Sequence, residues 1–121
     1  MIQLKRVYEE PGSRDGVRFL VDRLWPRGLR KEDVPMRAWL KELGPSTELR
    51  KWFAHDPAKW SEFQRKYQAE ISKQSEALEP LLEAARRGPI TLLYSAHDPE
   101  HNNAVVLKHF LEKKLAHHVQ R

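Results

Sequence analysis

Ile90-Thr91-Leu92-Leu93-Tyr94 is the stretch of the sequence that decides the fold. This nearly continuous apolar run has the length of a strand and follows Gly88-Pro89, a dipeptide that typically ends a helix. A strand that is apolar on both faces is typical of the centre of a parallel sheet whose two faces are covered. The run therefore predicts an α/β fold in which it is a central strand.

Two earlier segments predict further strands. One extends from Ile2 to Tyr8 and ends in the turn sequence Glu10-Pro11-Gly12-Ser13, and the other is Phe19-Leu20-Val21. Helical stretches separate the second segment from the last strand, and such a crossover connection joins neighbouring strands in parallel. We therefore predict a small, mainly parallel sheet covered by helices, forming one compact α/β domain over residues 1–121.

The helical stretches carry recognisable start and stop signals. Ser46 and the pair Asp56-Pro57 are typical of helix N-termini, where a side-chain oxygen accepts a backbone N–H and proline costs no hydrogen bond. The apolar spacing of residues 36–43 predicts another short helix, closed by Gly44-Pro45. Pro80 is expected to break or restart the helical pattern around it.

The composition limits the classes of function. With 40% hydrophobic residues and four Trp, the chain can bury a core without a disulfide or a metal. The sequence contains no Cys, which excludes disulfides, thiolate metal sites and a thiol nucleophile and fits a reducing compartment. Residues 1–6 reach charged side chains too early for a signal peptide, and no apolar run approaches the length of a membrane span. We therefore expect a cytoplasmic protein with no membrane association.

The charge of the chain favours anionic partners. The formal net charge is +5 and the isoelectric point is near 9.6. Residues 14–31 contain six basic side chains against two acidic ones. This excess suits a phosphate-bearing metabolite or nucleic acid, and it is equally typical of a solvated surface.

Loop residues near the second strand carry a family resemblance. Val21-Asp22-Arg23-Leu24-Trp25-Pro26-Arg27-Gly28 resembles the signature of the YeaO-like proteins, one branch of a bacterial and archaeal domain family of unknown function. Further similar motifs follow in order: Trp39-Leu40-Lys41-Glu42-Leu43, Pro45-Ser46, Leu49-Arg50, His55-Asp56-Pro57, Tyr94-Ser95-Ala96 and His101-Asn102-Asn103-Ala104. They cover nearly the whole chain. The resemblance implies a compact α/β fold and a cytosolic setting, and it implies no established activity.

A wider branch of that family is similar in layout but has a Cys-containing loop after its late strand. In this chain Tyr94 and Ser95 stand where the cysteine chemistry would be. Without a thiol there is no carrier for a persulfide, so rhodanese-type sulfur transfer is not expected.

Two loops are predicted to hold the functional residues. Ligands of parallel sheets gather beyond the carboxyl ends of the strands. Loop 1 (residues 22–28) follows the second strand, and loop 2 (residues 94–103) follows the last strand. If these two strands are neighbours, the loops meet and form one site.

The residue types in the two loops suit an anionic ligand. Arginine guanidinium groups make paired contacts with phosphate or carboxylate, and the N-terminus of the final helix also favours an anion. Hydroxyl groups and two consecutive amides, which are poor helix-interior residues, would add polar contacts. The predicted ligand-binding residues are Arg23, Arg27, Tyr94, Ser95, Asn102 and Asn103. The predicted catalytic residues are His101, which titrates near neutral pH, and Asp22 and Asp98, which would orient it or act as a base.

Several of these residues also have a purely structural interpretation. Asp98 before Pro99 is typical of a helix N-cap. Asp22 and Arg23 could form a salt bridge that only holds the loop. The four tryptophans, Trp25, Trp39, Trp52 and Trp60, are predicted to belong to the core.

We expect no metal site. His97-Asp98-Pro99-Glu100-His101 superficially resembles a zinc-binding helix, but Pro99 disfavours helix at His97 and no third ligand is evident. The sequence indicates neither a cofactor nor an oligomeric state.

Three functions remain open at the level of the sequence. The first is binding of a small anionic ligand, such as a phosphorylated one, with hydrolysis or transfer as an accompanying activity. The second is nonspecific or regulatory binding of nucleic acid, although no helix-turn-helix, zinc finger or aromatic RNA-binding strand is recognisable. The third is a non-catalytic interaction module.

Overall fold

A four-stranded parallel sheet lies at the centre of the protein. The computed structural model describes residues 1–119, with side chains described as far as Ala116. The strands are β1 (Ile2–Arg6), β2 (Val17–Leu20), β3 (Ala38–Trp39) and β4 (Ile90–Tyr94), in the spatial order β1-β4-β2-β3. Every pairing is parallel. The predicted α/β fold and the parallel pairing of the second and last strands are confirmed.

The helices follow the capping signals of the sequence. Within residues 1–119 the α-helices are α1 (Thr47–Phe53), α2 (Trp60–Ile71), α3 (Ser75–Arg87) and α4 (Asn103–Val119). The Ser46 side chain accepts the Leu49 N–H at 3.1 Å and so caps α1. The Asp56 side chain accepts the Ala58 N–H and starts a 3₁₀ turn (Pro57–Lys59) that leads into α2.

The central strand β4 is buried along its whole length, as predicted. Leu92 on one face packs with Phe19 and the helices in the larger hydrophobic core. Leu93 on the other face packs with Leu20 in a second, smaller core. The α-helices cover only the first face; the second is closed by the irregular segment 25–36, whose Trp25 and Val34 pack there.

The helix predicted for residues 36–43 is wrong. Ala38–Trp39 forms the edge strand β3, and Lys41–Leu43 forms a 3₁₀ turn. The Leu40 N–H donates to the Leu20 carbonyl at 2.8 Å, so pairing with the open edge of β2 outweighed the helical spacing of the apolar residues.

The break predicted at Pro80 is also wrong, because Pro80 lies inside α3. In this second turn of the helix the missing N–H releases only the carbonyl of Glu76, an exposed residue, so the loss is small. The predicted helix end at Gly88 is confirmed. No helix in the described part of the chain is both long and apolar enough to cross a bilayer.

Candidate functional site

Loop 1 and loop 2 meet at the side chain of Asp22. Its Oδ2 accepts the Ser95 N–H at 2.9 Å and the Ser95 hydroxyl at 2.7 Å. Its Oδ1 accepts the Asn103 amide at 3.1 Å. The contact follows from the sheet order, since β2 and β4 are neighbours and both end at this edge.

Asp22 is a mostly buried carboxyl group with an unusual proton affinity. Burial raises its pKa above the ordinary value, and the hydrogen bonds from Ser95 and Asn103 and the charge of Arg50 act in the opposite direction. Both carboxylate oxygens are engaged by donors of the protein itself. The geometry makes Asp22 the link that fixes the two loops together.

The side-chain amides of Asn102 and Asn103 form hydrogen bonds within the protein. Asn102 is only 3% exposed; its Oδ1 accepts the Val105 N–H at 3.1 Å, and its Nδ2 donates to the Asp98 carbonyl at 2.9 Å. Asn103 Nδ2 donates to the Val21 carbonyl at 3.0 Å as well as to Asp22. Asn102 therefore caps α4, the role that the sequence suggested for Asp98.

Asp98 instead closes the turn that precedes α4. Its Oδ1 accepts the Glu100 and His101 N–H groups, and its Oδ2 lies 2.8 Å from His101 Nδ1. The Glu100 hydrogen bond first, and then the contact with His101, lower the pKa of Asp98. The His101 ring meets the Trp60 ring edge to face at 5.2 Å. Because Nδ1 faces Asp98, Nε2 is the ring nitrogen available to a ligand.

Arg23 braces loop 1 against the turn before α1. Its Nε donates to the Pro45 carbonyl at 3.0 Å, and its Nη2 donates to the Gly44 carbonyl at 2.9 Å. Among the described residues it forms no salt bridge with Asp22, so that structural interpretation of the pair is wrong.

The remaining predicted residues separate into exposed and buried ones. Arg27 is exposed, and its carbonyl accepts the Tyr8 hydroxyl at 2.9 Å. Ser95 is half-buried and lines the site. Tyr94 is 4% exposed, burial raises its pKa, and it does not contribute to the surface of the site.

These residues surround a cleft of about 1040 Å³. Loop 1 and the end of β1 contribute one group of lining residues: Arg6, Tyr8, Leu24, Trp25, Pro26 and Arg27. The helices α1 and α2 with loop 2 contribute another: Arg50, Lys51, Phe53, His55, Phe63 and His101. Asp22, Ser95, Asn102 and Asn103 join the two groups. The two predicted loops therefore lie around one cavity, which α1 and α2 also line.

The charged side chains that line the cleft are predominantly basic. Five permanently charged basic side chains line it (Arg6, Arg23, Arg27, Arg50 and Lys51), together with three histidines and two carboxylates. Both carboxylates are already hydrogen-bonded to the protein, at Ser95 and at His101. Such a surface attracts anions and offers no free carboxylate to a cation. In the described part of the chain, no group of three or more metal-binding side chains is found either.

Sequence reasoning missed Arg6, Arg50 and Lys51. Arg6 donates from Nε and Nη2 to the carbonyls of Ala96 and Ser95, so it holds loop 2 in place. Its position at the carboxyl end of β1 could have revealed it, because every strand of this sheet ends at the same edge. Arg50 on α1 carries a buried Nε with no hydrogen-bond partner in the structure. Arg50 stands in the Leu49-Arg50 motif of the family resemblance, but no chemical signal in the sequence placed Arg50 or Lys51 at the cleft.

The connection after α1 adopts an uncommon backbone conformation at the cleft. Ala54 and His55 have positive φ angles of 48° and 57°. The left-handed region is unfavourable for residues other than glycine, and such residues concentrate at functional sites. This turn places His55 in the lining of the cleft.

Comparison with known proteins places the chain in a family. The model of the inactive DUF488-N3 subclade matches residues 1–121. The chain belongs to this subclade. It is 44% identical to the uncharacterized protein YeaO of Escherichia coli (strain K12) over 110 residues, which is 91% of this chain and 96% of that protein. It is 38% identical to the uncharacterized protein Rv3073c of Mycobacterium tuberculosis (strain ATCC 25618 / H37Rv), covering 91% of this chain and 92% of that protein. The YeaO-like resemblance of the sequence is thereby confirmed, and no solved structure gives a significant match.

Proposed function

We propose that this protein binds a small organic anion, such as a phosphorylated metabolite, in the cleft between loop 1 and α1. The observation that carries the proposal is the charge of the lining: five permanent cations against two carboxylates that the protein has already paired. A cationic cavity raises the local concentration of an anion and orients it by direct contacts.

Side chains that can still donate a hydrogen bond into the cleft are assigned the direct contacts with the ligand. Arg27 and Lys51 are exposed, and no hydrogen bond or ion pair engages either side chain within residues 1–119. His101 offers Nε2, which can donate to a ligand oxygen when protonated. We assign the contact role to Arg27, Lys51 and His101, since the Ser95 hydroxyl already donates its hydrogen to Asp22 and supports the site in that way.

Other predicted residues have a supporting role in this proposal. Asp22, Asn102 and Asn103 hold the two loops and the start of α4 at fixed positions through their hydrogen bonds. A site held in this way is preorganised, which lowers the entropy lost when a ligand binds.

Binding without turnover is the form of the proposal that we favour. The family description names the subclade as inactive, and the chain has no Cys to act as a nucleophile. The Asp98–His101 pair remains the group to examine if any ligand proves to be hydrolysed or transferred.

A thermal-shift panel tests the proposal. Phosphate, sulfate, sugar phosphates, nucleotides, DNA and RNA are each added to the purified protein at low and moderate salt. A ligand at about 100 times its Kd adds about 2.7 kcal/mol of stability, which shifts the unfolding midpoint measurably. We expect a small anion to stabilise the wild type and to stabilise Arg27→Ala less.

Arg37→Ala is the matched control, since Arg37 is exposed and lies outside the cleft. Equal shifts in the Arg27→Ala and Arg37→Ala variants contradict the assignment to the cleft. Stabilisation by nucleic acid alone, lost steeply at higher salt, contradicts the proposal and identifies the basic surface as the binding site.

A further inference from the structure

Arg50 is the side chain of the cleft whose bonding is incomplete. Its Nε is buried and has no acceptor, although Arg6 and Arg23 beside the same cavity both donate to backbone carbonyls. A buried donor without an acceptor is unfavourable, and native structures rarely retain one without a reason. Arg50 and Asp22 both line the cleft, and the charge of Arg50 acts to lower the pKa of Asp22.

An oxygen of a bound anion would complete the bonding of Arg50 once the side chain turns its Nε–H, which is buried in this structure, towards the cleft. Asp22 does not fill this role, since its oxygens accept from Ser95 and Asn103 and Arg50 Nε donates to neither of them. A guanidinium group presents a planar set of donors that suits two oxygens of one phosphate or carboxylate. Arg50 is therefore the anchor that the structure offers to the charged part of a ligand.

The loop 1 side of the cleft is apolar as well as charged. Tyr8 and Leu24 are 42% and 57% exposed, and they are two of the three large hydrophobic residues that are exposed in the described part of the chain. Both line the cleft beside Trp25. Apolar side chains left open to solvent around a pocket are typical of a surface that a ligand covers.

This apolar surface is held rigidly. The Trp25 Nε1 donates to the Leu29 carbonyl at 2.6 Å, and its ring meets Trp39 edge to face at 5.4 Å. The Tyr8 hydroxyl donates to the Arg27 carbonyl, and the Arg6 guanidinium lies 4.8 Å from the Tyr8 ring centroid. The polar atoms of both aromatic residues are thus satisfied by the protein, so a ligand meets them through their rings.

The cleft is large enough for a ligand that combines an anionic group with an apolar part. Pockets for organic ligands typically have volumes of about 300 to 1,000 Å³, and this cleft is at the upper end of that range. An inorganic phosphate or sulfate ion would fill only a small part of it.

We infer that the ligand joins an anionic group to an aromatic or apolar ring, with the anion on Arg50 and the ring against Tyr8, Leu24 and Trp25. This inference rests on the proposed function and specifies the class of ligand. It adds Arg50 to the residues that contact the charge and assigns the choice among anions to the apolar side chains of Tyr8, Leu24 and Trp25.

Calorimetric titration with phenyl phosphate, inorganic phosphate and phenol tests the inference. We expect phenyl phosphate to bind at least tenfold more tightly than inorganic phosphate, and phenol not to bind measurably. Leu24→Ser should remove most of the advantage of phenyl phosphate and leave the affinity for inorganic phosphate unchanged. Leu24 is exposed, so this variant should fold normally.

Variants of Arg50 test the anchor. Arg50→Met should weaken binding of both phosphates at least tenfold, and Arg50→Lys, which keeps the charge but loses the planar donors, should weaken it by less. Arg37→Met is the control outside the cleft and should bind as the wild type does.

The outcomes separate this inference from the proposed function. Equal affinities for phenyl phosphate and inorganic phosphate, both reduced by Arg50→Met, overturn the inference and leave anion binding in place. Tight binding of phenyl phosphate that survives Arg50→Met overturns the anchor. Absence of binding by both phosphates overturns the inference, and the proposed function then fails too if no anion of the thermal-shift panel binds.

Discussion

Asp22 illustrates how a residue can be found from the sequence while its role is not. Its position after the second strand predicted a place in the site, because parallel strands present their carboxyl ends at one edge. Its role depends on partners 73 and 81 positions away, Ser95 and Asn103, whose alignment follows from the strand register. Spacing within the sequence carries no such information.

Replacing Asp22 by asparagine should destabilise the protein. An asparagine amide has only one acceptor oxygen, so its NH₂ group would face either the donors of Ser95 or the donor of Asn103. Loss of a buried hydrogen bond with an unpaired donor costs about 1 to 3 kcal/mol, which urea unfolding at pH 7 would measure. Asp33→Asn is the control, because Asp33 is exposed and pairs with Arg30 at the surface. Similar losses in both variants would contradict the role given to Asp22.

The difference in the free energy of unfolding between the wild type and Asp22→Asn should depend on pH with a defined sign. Burial raises the pKa of Asp22 in the folded state above its ordinary value of 3.8. The folded state therefore binds the proton more tightly than the unfolded state, and the contribution of Asp22 to stability is complete below pH 3.8 and declines as the pH rises through its folded pKa. The free energy of unfolding of the wild type relative to Asp22→Asn should fall with rising pH above 4. A rise over the same range would contradict the account.

Asn102 should act on stability through the helix that it caps. Asn102→Ala removes the acceptor of the Val105 N–H, and loss of an N-cap costs about 0.5 to 2 kcal/mol. Asn102→Ser keeps a side-chain oxygen that can accept the same N–H without burying a charge, so it should cost less. Thermal unfolding of both variants tests this; a serine variant as unstable as the alanine variant would show that the cap is not the main role.

At the scale of elements, the sequence predicted the strands and helix ends that local residue patterns determine. The strands β1, β2 and β4, the caps at Ser46 and Asp56 and the helix end at Gly88 follow from apolar runs and capping side chains. The edge strand β3 does not, because only two residues pair and their partner is the edge of β2 far from them in sequence. The irregular segment 25–36, which covers one face of the sheet, has no periodic pattern in the sequence that would predict this position.

Gly16 should be indispensable to the junction of β2 and β4. Its φ is +65°, and a Cβ there would lie 2.0 Å from the Pro89 carbonyl oxygen, the same atom that accepts the Val17 N–H. Gly16→Ala should therefore cost more than the about 1 to 2 kcal/mol of a left-handed alanine alone. Gly28→Ala is the matched control, because Gly28 has a φ of +78° with open space around it. Equal urea midpoints for the two variants would contradict the close approach.

At the scale of the whole molecule, part of the basic excess that gives the net charge of +5 lies around the cleft. Sequence analysis left a specific anion site and a solvated surface equally open. The fold gathers five basic residues from three separate segments, β1, loop 1 and α1, around one cavity. Two of them, Arg50 and Lys51, could not be assigned to it before the packing of α1 was known. The fold also brings basic and apolar side chains together in one cleft.

The most direct test of the central claim is an NMR titration of ¹⁵N-labelled protein with inorganic phosphate and, separately, with double-stranded DNA. We predict saturable shifts for phosphate at the Arg50 Nε–H and at the backbone amides of loop 1 and loop 2. The Arg37 and Arg65 signals, from exposed arginines outside the cleft, should remain still. Shifts spread evenly over exposed arginines, or found only with DNA, would contradict a binding site for small anions in the cleft.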